Sequence, residues 1–218
     1  MEPEEQKRVA AEAAAGLAED GMALGLGTGT TVAHLLPVLA ARGLDLRCVA
    51  TSPRTESAAR ELGLRVEPFD HVERLDLAID GADQVAPDRW LVKGGGGAHT
   101  REKLVAAAAD RFVVIADASK PVAALHDPVP LELVPFGLDS TLRRLADATG
   151  GRVEVRDVPP SPDGGVIADL RGPVGDPAAL AALLSATPGV VEHGLFPPSM
   201  VSAVVIGTDD GPSWQEAP

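Results

Sequence analysis

The chain has 218 residues and a formal net charge of −13 at pH 7, with 45% hydrophobic and only 3% aromatic residues. An acidic chain of this kind lacks the dense Lys/Arg patches that phosphate backbones require, which excludes a nucleic-acid-binding surface. The length suits one large domain, or a main domain with a small one, whose core is filled by alanine, valine and leucine.

Two further features bear on the compartment of the protein. The acidic segment 1–20 lacks the continuous apolar stretch of a signal peptide, and no apolar run approaches the ~18 residues that span a membrane. Cys48 is the sole cysteine, which rules out an intrachain disulfide and fits a reducing compartment. We therefore expect a soluble, cytoplasmic protein.

The first two-thirds of the chain alternate short apolar runs with helical patterns. The apolar runs predict strands at 22–27, 46–52, 75–80 and 111–119, with extended segments at LRVEPF and RWLVKG. Helical spacing predicts helices at 30–43, 55–63 and 99–110, the first of them kinked or broken at Pro37. This alternation predicts a Rossmann-like, mostly parallel sheet covered by helices, with ligands bound at the carboxyl ends of the strands.

From about residue 128 the pattern changes. A strand (PLELVPF), a helix, two strands joined by the turn PPSPDGG, a second helix and a last strand (VVEHGLF) follow one another, and this βαββαβ order is ferredoxin-like. MVSAVVIGTDDG (200–211) then predicts a strand of the first sheet. We therefore predict a Rossmann-like catalytic domain of residues 1–127 plus 197–218, and an inserted ferredoxin-like domain of residues 128–196 that acts as a lid.

The segment LVKGGGGAHTREKL (91–104) is the most informative motif. Glycine weakens a helix or strand by about 0.5–1 kcal/mol relative to alanine, so four glycines in a row have no packing use and indicate a close approach of backbone N–H groups to a ligand. Lys93 precedes this loop and Glu102 follows it, a pairing that suits proton transfer next to a carbonyl. The alternative is a flexible glycine loop.

The segment GLGTGTT (25–31) joins a predicted strand to a predicted helix. Its glycines and the hydroxyls of Thr28, Thr30 and Thr31 lie where free N–H groups at a helix N-terminus favour an anion. The segment matches neither GxGxxG nor a Walker A loop, so a small phosphate ester is favoured over a dinucleotide, with a structural turn as the alternative.

The segment IDGAD places Asp80 and Asp83 around a glycine at the end of a strand. Two aspartates around a glycine are typical of an aspartate-rich turn whose carboxylates cap a helix. A divalent-metal site is the weaker hypothesis, because only His99 lies at a suitable spacing. The other histidines are scattered, and we interpret them as surface or core residues: His34, His71, His126 and His193.

Together, several segments resemble the ribose-5-phosphate isomerases of type A: GLGTGTT, TSPRT, LAIDGADQV, LVKGGGGAHTREKLVA, VVIADASK, VPFG and VVEHGLF. The resemblance implies a Rossmann-like domain with a ferredoxin-like lid, and an aldose–ketose isomerase of the pentose phosphate pathway that needs no cofactor and no metal. It also implies a phosphosugar substrate and a homodimer or homotetramer. The alternatives are a non-catalytic sugar-phosphate sensor, or a related deaminase or lactonase.

The same resemblance assigns roles to individual residues. Glu102 is the base that moves the proton between C2 and C1, Asp80 and Asp83 serve ring opening and hydroxyl binding, and Lys93 with the glycine amides stabilises the enediolate. The implied substrate-binding set comprises Lys7, Thr28, Gly29, Thr30, Thr31, Asp80, Gly81, Ala82, Asp83, Lys93, Gly94, Gly95, Gly96 and Lys120.

Three positions depart from the usual pattern of that family. Thr30 replaces a serine and keeps its hydroxyl. Gln84 stands where an acidic residue is usual, which removes one negative charge near the predicted site. His99 stands where an apolar residue is usual, and its closeness in sequence to Glu102 is expected to affect the pH profile.

Overall fold

The structure, a computed structural model, describes residues 1–216, which form two compact units. The first unit contains Met1–Ala82, Arg101–Lys120 and the chain from Ser199 onward. The second contains Asp83–Thr100 and Pro121–Pro198. No helix in the described residues is long and apolar enough to cross a membrane.

The helices within residues 1–216 are α1 Pro3–Ala15, α2 Thr30–Ala41, α3 Pro53–Glu61, α4 His99–Ala107, α5 Leu138–Thr149 and α6 Pro177–Ser185. The strands are β1 Ala23–Leu26, β2 Arg47–Ala50, β3 Arg65–Val66, β4 Leu77–Gly81, β5 Gln84–Val85, β6 Leu91–Val92, β7 Phe112–Asp117, β8 Val129–Leu133, β9 Arg152–Val155, β10 Val166–Arg171, β11 Val190–His193, β12 Leu195–Phe196, β13 Ala203–Thr208 and β14 Gly211–Glu216. Short 3₁₀ turns lie at Phe69–His71 and Pro198–Met200.

The first unit is built on a seven-stranded sheet in the order β14-β13-β7-β4-β1-β2-β3. Every neighbouring pair is parallel except β13 with β14, which forms a hairpin that the sequence pattern did not predict. Strand β7 is buried along its whole length, as expected for a parallel strand covered on both faces. The predicted mostly parallel sheet is confirmed.

Two helices of the first unit differ from the sequence expectation. Helix α2 continues through Pro37, so the expectation of a break there is wrong, and the alternative of a kink stays a prediction. Helix α1 was not predicted, and it packs against the sheet through fully buried alanines, including Ala10 and Ala14. A Cβ at Gly207 of β13 would lie 1.8 Å from the carbonyl oxygen of Gln6, so this glycine allows the close crossing of α1 over the strand.

The second unit carries a four-stranded antiparallel sheet in the order β11-β8-β10-β9, together with α5 and α6. This is the predicted βαββαβ order, with the fourth strand beside the first and the second strand at the other edge. Leu145 of α5 and Leu184 of α6 are fully buried in its core beside Leu131. The predicted last strand is interrupted at Gly194, so that β12 joins a separate three-stranded sheet with β6 and β5.

This three-stranded sheet also explains how the units differ from the predicted domains. Residues 83–100 and 121–127 group with the second unit, because Lys93 N–H donates to the Gly194 carbonyl at 2.8 Å and Val122 N–H donates to the Val85 carbonyl at 2.9 Å. The domain division at 127/128 and 196/197, and the lid role, stay predictions.

The burial of Cys48 in β2 generates the first prediction. Burial, together with the negative charge of Glu67, raises the pKa of the Cys48 thiol to about 12. At pH 8 only about one thiol in ten thousand is then ionised, and the thiolate is the reactive form. We expect a thiol-reactive dye to leave the native protein unlabelled at pH 8 and to label one cysteine per chain in denaturant; stoichiometric labelling of the native protein would contradict this burial.

Candidate active site

The Asp80 carboxylate organises the first glycine-rich loop. A single oxygen, Oδ1, accepts the N–H of Thr28 at 3.0 Å and the N–H of Gly81 at 2.7 Å. The side chain is only 3% exposed. A Cβ at Gly27 would lie 1.9 Å from this oxygen, so only glycine leaves room for the carboxylate there. Asp80 is thus held rigidly at the carboxyl end of β4.

A cluster of hydroxyls supports the same loop from the other side of Thr28. Thr28 Oγ1 lies 2.8 Å from Thr51 Oγ1, 2.8 Å from Ser52 Oγ and 3.2 Å from Thr55 Oγ1. The Thr55 hydroxyl also donates to the Gly27 carbonyl at 2.9 Å. The segments GLGTGTT and TSPRT therefore meet, and Thr28 supports the loop through both its N–H and its hydroxyl.

The start of α2 has the geometry of an anion site. Gly29, the residue before the helix, has φ of +132°, which favours glycine, and both Gly29 and Thr30 are exposed. The first N–H groups of a helix have no partner inside it and carry partial positive charge. The predicted phosphate contact at residues 28–31 stays a prediction, and the geometry favours Gly29, Thr30 and Thr31 over Thr28 for it.

Two predicted phosphate-binding lysines are coupled to one buried carboxylate. Burial raises the pKa of Asp117, but hydrogen bonds from Ser119 and the positive charges of Lys120 and Lys7 outweigh it, so the pKa is lowered overall. Lys7 also forms an ion pair with Glu4 at 2.6 Å. Asp117, at the end of β7, thus lies within electrostatic reach of both lysines, and only its place in the DASK segment at a strand end indicated it.

In the second unit, Lys93 follows directly on β6 and is 2% exposed. Its Nζ lies 5.3 Å from the centroid of the Phe196 ring, a cation–π distance. A buried ammonium is costly unless it is compensated, and the face of the Phe196 ring provides part of that compensation.

The second glycine-rich loop has a packing role that the sequence analysis did not expect. Gly94 has φ of +106°, and a Cβ there would lie 2.6 Å from Nδ1 of the buried His99 ring. A Cβ at Gly95 would lie 2.7 Å from an Asp83 oxygen. The expectation that the four glycines have no packing use is therefore wrong for Gly94 and Gly95. A Cβ at Gly96 would meet open space.

The N–H groups of this loop are partly occupied within the second unit. Gly95 N–H donates to Asp83 Oδ2 at 2.7 Å, and Gly97 N–H donates to the Gly94 carbonyl at 3.0 Å. The carbonyls of Gly94 and Gly95 both accept hydrogen bonds from Arg156, a residue that the sequence analysis did not single out.

Gln84, one of the departures from the family pattern, has a structural explanation. Its side-chain amide donates to the His126 carbonyl at 2.8 Å and its side-chain oxygen accepts the His126 N–H at 2.9 Å. Gln84 is buried, and an ionised carboxylate cannot donate to a carbonyl. The Gln84 side chain and the His126 backbone therefore form two hydrogen bonds, one in each direction, which a carboxylate could not form.

Helix α4 carries the predicted base in its first turn. Glu102 is 5% exposed. The helix dipole favours its charged form, and burial opposes it. The hydroxyl of Thr100, in the same turn, donates to the buried carboxylate of Glu132 on β8.

The predicted site residues are distributed over both units. The structure places Thr28 against Asp80, and Asp83 against Gly95. The first unit contains Lys7, Thr28, Gly29, Thr30, Thr31, Asp80, Gly81, Ala82, Glu102 and Lys120, and the second contains Asp83, Lys93, Gly94, Gly95 and Gly96. In the part of the chain that the structure describes, no group of three or more His, Cys, Asp or Glu side chains is placed to hold a metal ion.

Comparison with known proteins decides the family. The family model of ribose 5-phosphate isomerase A (phosphoriboisomerase A) matches residues 47–211. The ribose-5-phosphate isomerase A of a Caulobacter species is 47% identical over 221 residues, covering 97% of each chain. The chain belongs to the ribose 5-phosphate isomerase A family.

Solved structures of ribose 5-phosphate isomerases share the fold. The crystal structure of ribose 5 phosphate isomerase A from Neisseria gonorrhoeae superposes with a TM-score of 0.94 at 32% identity, covering 99% of this chain and 97% of that one. A D-ribose-5-phosphate isomerase in complex with phospho-erythronic acid gives a TM-score of 0.93 at 34% identity and full coverage of both chains. The sequence resemblance to this isomerase family is therefore confirmed.

Proposed function

We propose that this chain interconverts D-ribose 5-phosphate and D-ribulose 5-phosphate by proton transfer through a cis-enediolate. Family membership, together with the burial of Asp80, Lys93 and Glu102, carries this proposal. Burying ionisable groups costs free energy, so several buried ionisable groups beside glycine-rich loops indicate a functional site. The family resemblance also supports a cytoplasmic homodimer or homotetramer that acts without cofactor or metal in the non-oxidative pentose phosphate pathway.

The first step is opening of the sugar ring, which we assign to Asp80 with Asp83. Ring opening moves a proton between the C1 hydroxyl and the ring oxygen, so it needs a fixed acid–base group. Asp80 is suited to this because the N–H groups of Thr28 and Gly81 both hold one of its oxygens. Asp83 is exposed, and its Oδ2 is held by Gly95 N–H.

The second step is transfer of a proton from C2 to C1, which we assign to Glu102. A positioned base contributes about 10²–10⁴-fold to such a reaction. The carboxylate takes the proton from C2 of the open aldose and returns it to C1 of the enediolate, while the proton of the C2 hydroxyl passes to the C1 oxygen. The C2 carbonyl of the ketose is formed in this way, and the carboxylate is regenerated in each turnover.

The enediolate oxygen requires donors, and we assign Lys93 and the Gly96 N–H. Gly95 N–H and Gly97 N–H donate to Asp83 and Gly94, whereas Gly96 is exposed with open space at its Cα. Removing one donor of this type costs about 3–4 kcal/mol of transition-state stabilisation. Each donor therefore contributes about as much as the base does.

The phosphate end is assigned to the start of α2 with Lys120 and Lys7. The chain carries a net charge of −13, so a dianionic ester must be attracted by local groups. The N–H groups and hydroxyls of Thr30 and Thr31 supply them, and the two lysines add positive charge.

A non-catalytic sugar-phosphate sensor of the same fold is not favoured. Such a protein has no need for a buried base or a buried lysine, and this chain has both in Glu102 and Lys93. A related deaminase or lactonase is not favoured either, because His99 packs on the glycine loop and His126 pairs with Gln84.

Replacement of the base tests the proton-transfer step. Glu102→Gln keeps the shape of the side chain but cannot accept the proton, so we expect kcat to fall about 10²–10⁴-fold with little change in KM. The matched control is Glu73→Gln, an exposed carboxylate of the first unit, which is expected to keep wild-type kcat. A Glu102→Gln enzyme within a few-fold of wild type would remove Glu102 from this role.

Replacement of Lys120 tests the phosphate assignment. Lys120→Ala removes a charge-assisted contact worth about 1.5–3 kcal/mol, so we expect KM for ribose 5-phosphate to rise roughly 10- to 100-fold and the advantage over free ribose to shrink. The control is Arg65→Ala, which removes an equal charge from a surface ion pair with Glu67. An unchanged KM would place the phosphate elsewhere.

A further inference from the structure

The guanidinium of Arg156 connects the β9–β10 hairpin to the glycine loop. One edge of its fork faces Asp169 of β10, with Nε 2.9 Å from Oδ2 and Nη2 2.7 Å from Oδ1. The remaining nitrogen, Nη1, donates to the Gly94 carbonyl at 3.0 Å and to the Gly95 carbonyl at 2.9 Å. The side chains of Arg156 and Asp169 are only 18% and 13% exposed. Each of the three guanidinium nitrogens therefore donates to at least one acceptor.

These contacts fix the orientation of two peptide groups. Each peptide is planar and trans, so the N–H points away from the carbonyl of the same group. Arg156 holds the Gly94 carbonyl while Asp83 Oδ2 accepts the Gly95 N–H at 2.7 Å, so this peptide is held at both ends. The bond to the Gly95 carbonyl likewise directs the Gly96 N–H away from Arg156.

Packing alone does not hold this loop. A cavity of about 520 Å³ borders it, lined by Gly95, Gly96, Gly97, Arg156 and the turn at 158–162. Glycine has the greatest backbone freedom of all residues, so a glycine segment beside a cavity needs hydrogen bonds to keep one conformation. Arg156 provides two of them from one rigid group.

We propose that Arg156, oriented by Asp169, is a positioning residue that sets the direction of the Gly96 N–H toward the developing enediolate oxygen. This inference rests on the proposed isomerase function and adds to it a residue that touches neither the substrate nor the reacting atoms. Lysine cannot replace Arg156, because a single ammonium cannot form a bidentate contact with the Asp169 carboxylate and donate to two backbone carbonyls at the same time.

A positioning role affects the transition state more than substrate binding. Donors to an enediolate act on charge that develops only during the reaction, so their misplacement lowers kcat while KM changes little. A displacement of about 1 Å can cost a factor of about 10² in rate. We expect a 10- to 100-fold loss of kcat when the contact to the carbonyls is removed.

The experiment compares Arg156→Met, Arg156→Lys and the double variant Arg156→Met/Asp169→Asn with wild type. The double variant avoids leaving a buried carboxylate without its cation, so it separates the contact to the carbonyls from the ion pair. The control is Arg152→Met on the same hairpin, since Arg152 forms an exposed ion pair with Glu154. Folding is followed by thermal denaturation, and kcat and KM are measured with ribose 5-phosphate.

A second readout separates positioning from folding. Phospho-erythronic acid carries a carboxylate whose two oxygens resemble an enediolate, whereas inorganic phosphate probes only the phosphate end. We expect the double variant to bind phospho-erythronic acid about tenfold more weakly than wild type, with inhibition by inorganic phosphate unchanged. Arg156→Lys is expected to recover little of the lost kcat.

The outcomes distinguish this inference from the proposed function. An inactive, folded wild-type protein would overturn the isomerase assignment and this inference with it. An active wild type whose folded double variant keeps kcat within threefold would overturn the positioning role alone. Equal weakening of phospho-erythronic acid and phosphate, or failure of all three variants to fold, would show a purely structural role and would also overturn it.

Discussion

The close approach of backbone to functional side chains is the constraint on which the candidate site depends. Asp80 occupies the space that a Cβ at Gly27 would fill, and Asp83 and His99 do the same at Gly95 and Gly94. Any larger residue at these positions would displace a carboxylate or a ring that the chemistry or the loop requires. The glycines are therefore present for what packs against them as well as for what approaches them.

A consequence is that several polar groups of the two glycine-rich loops are already engaged in hydrogen bonds within the protein. Thr28 is bonded through its N–H and its hydroxyl, and the N–H groups of Gly95 and Gly97 have acceptors. Such internal bonds cost affinity for a ligand but fix the remaining donors before the substrate arrives, which is how preorganised sites lower a barrier. Among the described residues, the Gly96 N–H and the first N–H groups of α2 are the donors that we assign to the substrate.

Local patterns predicted much of the fold, because they depend on the chain's own periodicity. The alternating strands and helices of the first sheet and the βαββαβ order around β8–β11 are of this kind. Helix α1 was missed because its buried face consists of alanines, whose burial depends on the crossing at Gly207. The pairing of β6 with β12 was missed because the two strands lie about a hundred residues apart.

The candidate site likewise contains residues that local sequence patterns indicate and residues that only distant contacts bring together. Glu102, Asp80 and Lys93 stand out in sequence because each lies beside a glycine motif at a strand end or helix start, and their roles stay predictions. Arg156 does not stand out, since an arginine next to a strand is common on surfaces, and Asp117 was indicated only by its place in the DASK segment. Only the fold brings Arg156 to two carbonyls and places the charge of Lys7 near Asp117.

The central claim is that the substrate hydrogen travels as a proton on a protein base. The most direct test is to incubate the protein with ribose 5-phosphate in deuterated water containing EDTA and to follow the reaction by proton NMR. If the protonated base exchanges its proton for deuterium during the lifetime of the enediolate, the ribulose 5-phosphate formed carries deuterium at C1. The account also predicts the same rate of turnover with and without EDTA. Loss of turnover in EDTA, restored by a divalent cation, would contradict the account.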